Sequence, residues 1–284
     1  MGPGQPVKAT LWGTRGSLAS AGPETVRYGG NTSCVEVRGS DGTLIVLDAG
    51  TGIRRLGAAL GAEAPQINIL LTHLHMDHIQ GFGFFPPLYR PNIEVHIWGP
   101  PSLTHDLRTR LTRYLSPPLF PVRLRDLPSR LALHDVPLGG FDVGGLHVDS
   151  ALVTHPGPTV GYRIRDNGRS LTYIPDHEPA LGATRFPWRS DWTSGYAVSH
   201  GTDLLIHDTQ YTMPEYAEHV GWGHSAIDHT IAFARLARVR RLVTFHHDPS
   251  HSDAELDRLL EKAASTGPLP FELIPGMEGM QFEI

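Results

Sequence analysis

Within LLTHLHMDHIQG, residues 70–81, the ligand-type side chains His73, His75, Asp77 and His78 fall inside six positions, directly after the apolar-rich run INILL. A short apolar run bounded in this way suits a buried β-strand, so the chain must turn sharply where the strand stops. In such a corner His73 and His75 can face one way. Asp77 and His78 continue round the turn toward a second point nearby. Two neighbouring metal ions demand that disposition. A fold that meets it has to bring further ligands from other strand ends to the same edge. A histidine-rich surface turn is the plain alternative, and it gives no reason for four ligand types behind a buried strand.

Other strand ends of this kind are present. Short apolar-rich runs recur as VKATLWG, SCVEVRG, TLIVLDAG and IEVHIWG, then as LHVDSALVTH, VGYRIRD, SLTYIPD, DLLIHD, RLVTFHH and FELIPG. Each is bounded by turn-forming residues. Helical spacing is clearest in IRRLGAALG after Gly52, in SAIDHTIAFARLARV from Ser225, and in SDAELDRLLEKAAS from Ser252. Ser225 is the expected N-cap of the second, and Ser252 with Glu255 has the spacing of a capping box on the third. These elements predict an α/β chain of two face-to-face sheets with helices outside, a four-layer αββα sandwich in one domain over residues 1–284. Residues 101–140 stand apart. They are rich in proline and carry Arg108, Arg110, Arg113, Arg123, Arg125 and Arg130. The expectation there is an insertion, a helix followed by an irregular cap. A solvated face and a lid over substrate fit it equally well.

Composition removes several classes. The net charge of −5 argues against a surface that coats nucleic acid, so no stable nucleic-acid complex is expected. No segment is apolar for long enough to cross a membrane, and no apolar targeting segment is visible near residue 1. Cys34 is the only cysteine, which excludes an intrachain disulfide and a thiolate-based zinc site. A cytoplasmic protein is the simplest expectation. Imidazole and carboxylate donors without thiolate favour Zn²⁺, with Mn²⁺ or Fe²⁺ as alternatives.

The segment HLHMDH resembles the HxHxDH signature of the metallo-β-lactamase superfamily, and the likeness extends over nearly the whole chain. The resemblance implies a dinuclear hydrolase and a full ligand set. His73, His75 and His155 would hold one metal. Asp77, His78 and His246 would hold the other, with Asp176 as the bridging carboxylate. Two neighbours compete for these places. His247 follows His246, and His177 follows Asp176; adjacent strand residues face opposite ways, so both are left out. WGTRGSLAS, RYGGNTSCVEV and LDAGTGIRRLG resemble segments of the phosphodiesterase branch. Asp48 is expected behind the site as an acceptor for a ligand imidazole. Gly50 and Gly52 would admit close backbone approach, and Asn31, Thr32 and Ser33 are weaker candidates near the site.

LLIHDTQY followed by GWGHS is similar to the paired acidic and histidine elements of the ribonuclease Z family. The resemblance gives Asp208 the acidic place, where the family has Glu, and His224 the histidine place. Asp77, which is also a ligand, His224 and Asp208 are the expected catalytic residues. That family inserts its transfer-RNA arm between the elements of His155 and Asp176, and this chain has no room for it there. The short spacing, LLTHLHMDHIQG and the closing IPGMEG resemble the phosphonate-pathway cyclic phosphodiesterases, without their cysteine-rich zinc loop. The expected activity is hydrolysis of cyclic nucleotides or short nucleotide diesters by a hydroxide bridging two divalent metals. His224, backed by Asp208, would protonate the leaving oxygen. A lactonase or other carboxylic ester hydrolase of the same fold is the nearest alternative, and a non-catalytic metal-binding sensor is the next. A homodimer through residues 101–140 is a further expectation.

Overall fold

A computed structural model describes residues 6–61, 66–265 and 267–284. Strands β1 (Lys8–Gly13), β2 (Cys34–Arg38) and β3 (Leu44–Leu47) lead into helix α1 (Ile53–Ala59). Strand β4 (Gln66–Leu70) is followed by the single turn α2 (Met76–Ile79), β5 (Glu94–Gly99), α3 (Leu107–Thr112) and β6 (Arg130–Asp135). A meander of β7 (Gly139–Val143), β8 (Leu146–Leu152), β9 (Val160–Asp166) and β10 (Arg169–Ile174) comes next. Then follow α4 (Tyr196–Ser199), β11 (Leu204–Asp208), α5 (Met213–Glu218), α6 (Ile227–Ala237), β12 (Arg241–Phe245) and α7 (Asp253–Ser265). The last strands are β13 (Glu272–Pro275) and β14 (Gln281–Glu283).

Among the described residues the strands form two seven-stranded sheets, ordered β14-β1-β2-β3-β4-β5-β6 and β13-β12-β11-β10-β9-β8-β7. Between the sheets lie Val35, Leu47, Tyr162, Ile164, Tyr173 and Phe245. The outer face of the first sheet packs Ile67 and Ile69 against Ile53 and Leu56 of α1. That of the second packs Leu205 and Leu242 against Phe233 and Ala234 of α6. Four layers result, as expected. Phe233 is fully buried, so Phe233→Ala would cost about 3–5 kcal/mol. No helix among the described residues is long and apolar enough to cross a membrane.

The half of each sheet that matters for the site is parallel. Strands β3 to β6 run parallel, and so do β10 to β13. The inner ones, β3, β4, β11 and β12, are apolar-rich and almost fully buried because helices or the other sheet cover both faces. The carboxyl ends of parallel strands gather along one edge, where ligands bind in such sheets.

Several expectations need correction. Ser225 is not an N-cap: helix α6 begins after Ala226, and Ser225 Oγ instead donates to the His177 carbonyl at 2.6 Å. Only half of the expected box at Ser252 is present, Ser252 Oγ accepting from the Glu255 amide at 3.2 Å. A complete capping box stands elsewhere, between Thr212 and Glu215 of α5. The arginine-rich segment is also more ordered than a cap. Leu107, Leu111, Leu115, Phe120 and Leu124 bury themselves in the first sheet's outer core, and residues 130–135 form the edge strand β6. The strands are not divided cleanly by sequence halves, since β14 returns to pair with β1.

Candidate metal centre and its histidine–aspartate pair

The edge where the parallel strands end receives every expected ligand. His73 follows β4, and His75 to His78 turn through α2. His155 lies in the loop between β8 and β9, Asp176 just after β10, and His246 just after β12. The structure brings them together in two groups, His73–His75–His155 and Asp77–His78–Asp176–His246, the donor atoms of each group lying within 4.8 Å of one another. Asp176 reaches both groups. Its Oδ1 is 3.0 Å from His78 Nε2 and 3.3 Å from His246 Nε2, while Oδ2 is 3.7 Å from His73 Nε2 and 3.8 Å from His155 Nε2.

Four of the five imidazoles are oriented from behind. His78 Nδ1 lies 2.8 Å from Asp48 Oδ2, and His246 Nδ1 lies 2.8 Å from Gln210 Oε1. His155 Nδ1 lies 2.9 Å from the Gly223 carbonyl, and His73 Nδ1 3.1 Å from Thr72 Oγ1. Acceptors at these nitrogens place the ring proton there in the neutral form, which leaves a lone pair on the inward nitrogen. Those lone pairs converge without donors between them. His78 Nε2 and His246 Nε2 are 3.4 Å apart, His75 Nδ1 and His155 Nε2 are 3.2 Å apart, and the buried His73 Nε2 has no hydrogen-bond partner. Two carboxylates point into the same space. Lone pairs and negative charge packed this closely away from water call for cations, and the donor set fits divalent metal ions.

The electrostatics differ between the groups: burial acts against the charged form of His78, but Asp176, Asp77 and Asp48 outweigh it and push its pKa well above the ordinary value, so without a cation that ring holds a proton. Burial pulls the His73 imidazole well below its ordinary pKa, which keeps it in the neutral form that binds metal. Burial acts against the charged form of Asp176 too, but the His246, His78 and His73 rings outweigh it and hold the carboxyl well below the usual range.

Asp48 carries much of the support, as expected. It accepts from the Thr72 amide at 2.7 Å, from Thr72 Oγ1 at 2.9 and 3.0 Å, and from the Tyr173 hydroxyl at 2.9 Å, besides holding His78. Asp48 and His246 both adopt left-handed backbone, at φ 60° and 56°. Such strain in non-glycine residues is found at sites that the surrounding structure over-determines. Gly16 lets the first loop cross the His246 ring: a Cβ there would lie 2.3 Å from His246 Nδ1. Gly50 does the same job against the Asp77 carbonyl, at 2.4 Å.

The residues set aside stay outside. His247 Nε2 faces the Gly276 carbonyl at 2.9 Å, and its ring meets Tyr28 edge-on. His177 Nδ1 faces His207 Nε2 at 2.8 Å. Asn31 and Thr32 are engaged by Glu278 and Thr51, and Ser33 gives its carbonyl to the Gly50 amide.

His224 sits against both groups while its Nδ1 is engaged elsewhere, 2.8 Å from Asp208 Oδ2. The shorter Asp is therefore long enough. Asp208 is fully buried, and its two oxygens also accept from the His177 and Gln210 amides at 3.0 and 2.9 Å. The His224 ring stacks on His246 at 5.0 Å between centroids. Burial lowers the His224 pKa, but the carboxylates of Asp208, Asp176 and Asp77 outweigh it, and the net direction is upward.

Two supporting residues have no sequence signal. Gln210 aims His246. Glu178, 1% exposed, has no cationic partner among the described residues. Its carboxylate accepts from the Tyr216 hydroxyl at 2.6 Å and from the amides of Gly182, Gly221 and Gly223 at 3.2, 3.1 and 3.2 Å. It thereby fixes the loop that carries His224 and offers the Gly223 carbonyl to His155. Gly223 has φ +83°, and a Cβ on it would lie 2.3 Å from His155 Nδ1. An acidic residue near a glycine loop is too common a pattern to reveal this in sequence.

Comparison with known proteins agrees with this geometry. Residues 43–247 match the model of the beta-lactamase superfamily domain. The ribonuclease Z of Mycobacterium avium (strain 104) is 26% identical over 277 residues, covering 86% of this chain and 87% of that protein. Among solved structures, human tRNase Z, short form, matches 98% of this chain and 99% of its own at a TM-score of 0.67 and 20% identity. A diphosphatase from the PhnP family matches 98% of both chains at a TM-score of 0.68 and 17% identity. A domain match over most of its length, on a fold whose strand ends assemble this donor set, means that the chain belongs to the metallo-β-lactamase superfamily of metal-dependent hydrolases, in its phosphodiesterase branch.

Proposed function

We propose that this chain is a single-domain dinuclear phosphodiesterase acting on cyclic nucleotides or short nucleotide diesters. The observation that carries the proposal is the His224–Asp208 pair, 2.8 Å apart and set against seven donors that do not need it. His73, His75 and His155 would hold one metal, and Asp77, His78 and His246 the other, with Asp176 shared. Zn²⁺ suits these donors best, with Mn²⁺ or Fe²⁺ as alternatives. Bound metals would supply an activated water and positive charge against the phosphoryl oxygens.

The residues of the chain do the rest. Hydrolysis of a diester breaks one phosphorus–oxygen bond, forms one to the oxygen of water, and leaves an alkoxide that must gain a proton. A strongly basic alkoxide leaves slowly without one. With Nδ1 committed to Asp208, the His224 ring has Nε2 to donate from, on a ring that lines a cavity beside the site. Cations would cancel the pull of Asp77 and Asp176 on His224. Asp208, outside both ligand groups, would still keep the ring protonated. Two features favour small or flexible substrates. Strands β9 and β10 take up most of the stretch between His155 and Asp176, leaving no arm to grip a large folded RNA, and the net charge is −5. Kinship with ribonuclease Z supports the diester class itself.

The test is His224→Ala assayed on two diesters with different leaving groups, with metal content measured on the same preparation. A dinucleotide, whose leaving oxygen is an alkoxide, should lose about 10²–10⁴-fold in kcat. Bis-p-nitrophenyl phosphate, whose leaving nitrophenolate is stable unprotonated, should lose far less. Equal losses on both would remove His224 from proton transfer. Wild-type turnover of a lactone or β-lactam in preference to either diester would overturn the phosphodiesterase assignment.

A further inference from the structure

Two cavities flank the candidate metal centre. One, of about 330 Å³, is lined by His224 together with Gln210, Tyr211 and Trp222. The other, of about 450 Å³, borders His73 and His75 and lies beside α3. Leu74, Met76 and Leu119 form part of its wall, and Arg110 and Arg113 bring guanidinium groups to it.

This inference rests on the function proposed above, from which each arm of a diester can be given its own cavity. The oxygen that takes a proton from His224 must lie on the His224 side, so the leaving alcohol belongs in the smaller cavity. The arm that stays on phosphorus is left with the larger one. That cavity has room and apolar wall for a nucleoside-sized group. Its two cations are not equivalent. Arg110 is committed, donating to the Pro100 carbonyl at 2.7 Å and lying 3.4 Å from Asp135 Oδ1. The exposed Arg113 side chain has no hydrogen-bond or ion-pair partner among the described residues. A free guanidinium fork at the rim of an apolar cavity matches the geometry of a phosphate, which it can bind through two parallel hydrogen bonds. We infer that the larger cavity binds the retained arm of the substrate and that Arg113 takes a second, terminal phosphate on that arm. The favoured substrate class is then a diester whose retained half leaves the enzyme as a nucleoside bisphosphate.

The experiment uses metal-loaded enzyme and two esters, thymidine 5′-(p-nitrophenyl phosphate) and the same ester carrying a 3′-phosphate. Both release p-nitrophenol and differ only in the terminal phosphate on the retained arm. The wild type should prefer the phosphorylated ester by about tenfold or more in kcat/KM, the worth of a charge-assisted hydrogen bond. Inhibition by the two products, thymidine 3′,5′-bisphosphate and thymidine 5′-monophosphate, should show the same ratio. In Arg113→Ala both ratios should fall to about one. Arg108→Ala, exposed and outside the cavity, should keep them. A wild type without preference, an Arg113→Ala enzyme that keeps it, or an Arg108→Ala enzyme that loses it equally would each overturn the inference. If neither ester reacts, the phosphodiesterase proposal fails instead, and the ratio of product affinities still decides the role of Arg113.

Discussion

The two ligand groups share Asp176 but are built differently. Asp77, His78, Asp176 and His246 are all buried, and Asp48 and Gln210 fix the rings from behind. His73, His75 and His155 have no carboxylate of their own, and His75 is exposed. The first arrangement brings two carboxylates, which match the charge of a divalent cation. The second is open on one side and held in part by a loop carbonyl, that of Gly223. The buried group should therefore fill first and empty last, and the open group should exchange its metal more readily.

The comparison is broken most severely at the residue both groups use. Asp176→Ala should strip metal from both groups and reduce diesterase turnover by about 10³-fold; elemental analysis beside kinetics checks it, and two retained metals would contradict a shared role. His75→Ala should separate the groups, leaving about one metal per chain in the buried group. If it empties both groups equally, they load as one unit and the proposed order is wrong. Asp48→Asn acts from behind, directly on His78 and only through Thr72 on His73. Metal affinity of the buried group should drop by about 10- to 100-fold, as competition with a chelator would measure, while the open group changes less. Glu178→Gln should have the smallest effect, about tenfold at most. One of its carboxylate oxygens becomes an amide that repels a glycine N–H. Its signature is a larger loss on alkoxide leaving groups than on nitrophenolate, with His155 less firmly held. A uniform loss on all substrates would mean that Glu178 only supports the fold.

The donor cluster was legible in sequence because its members stand in the turn after one apolar run or just beyond another, and the structure keeps His247 and His177 out of both groups. The strands that escaped detection lack that signature. RLALHD in β6 carries Arg130, His134 and Asp135 at a sheet edge, GGFDV in β7 starts with two glycines, and β14 is only three residues long. Ser225 had the composition of an N-cap, but the His177 carbonyl took its hydroxyl first. Gln210 and Glu178 stayed hidden for another reason. Their roles come from contacts between elements far apart in sequence, and neither stands at a distinctive spacing.

Tyr173, from the second sheet, donates its hydroxyl to Asp48, at the end of a strand of the first. Ligands likewise come from both sheets. A bound cation would then act as a rivet through the seam of the sandwich, and its binding energy would be added to the docking of one half on the other. Chelation should lower the melting temperature as well as the activity. For this chain, metal affinity is a measure of how firmly the two halves are clasped.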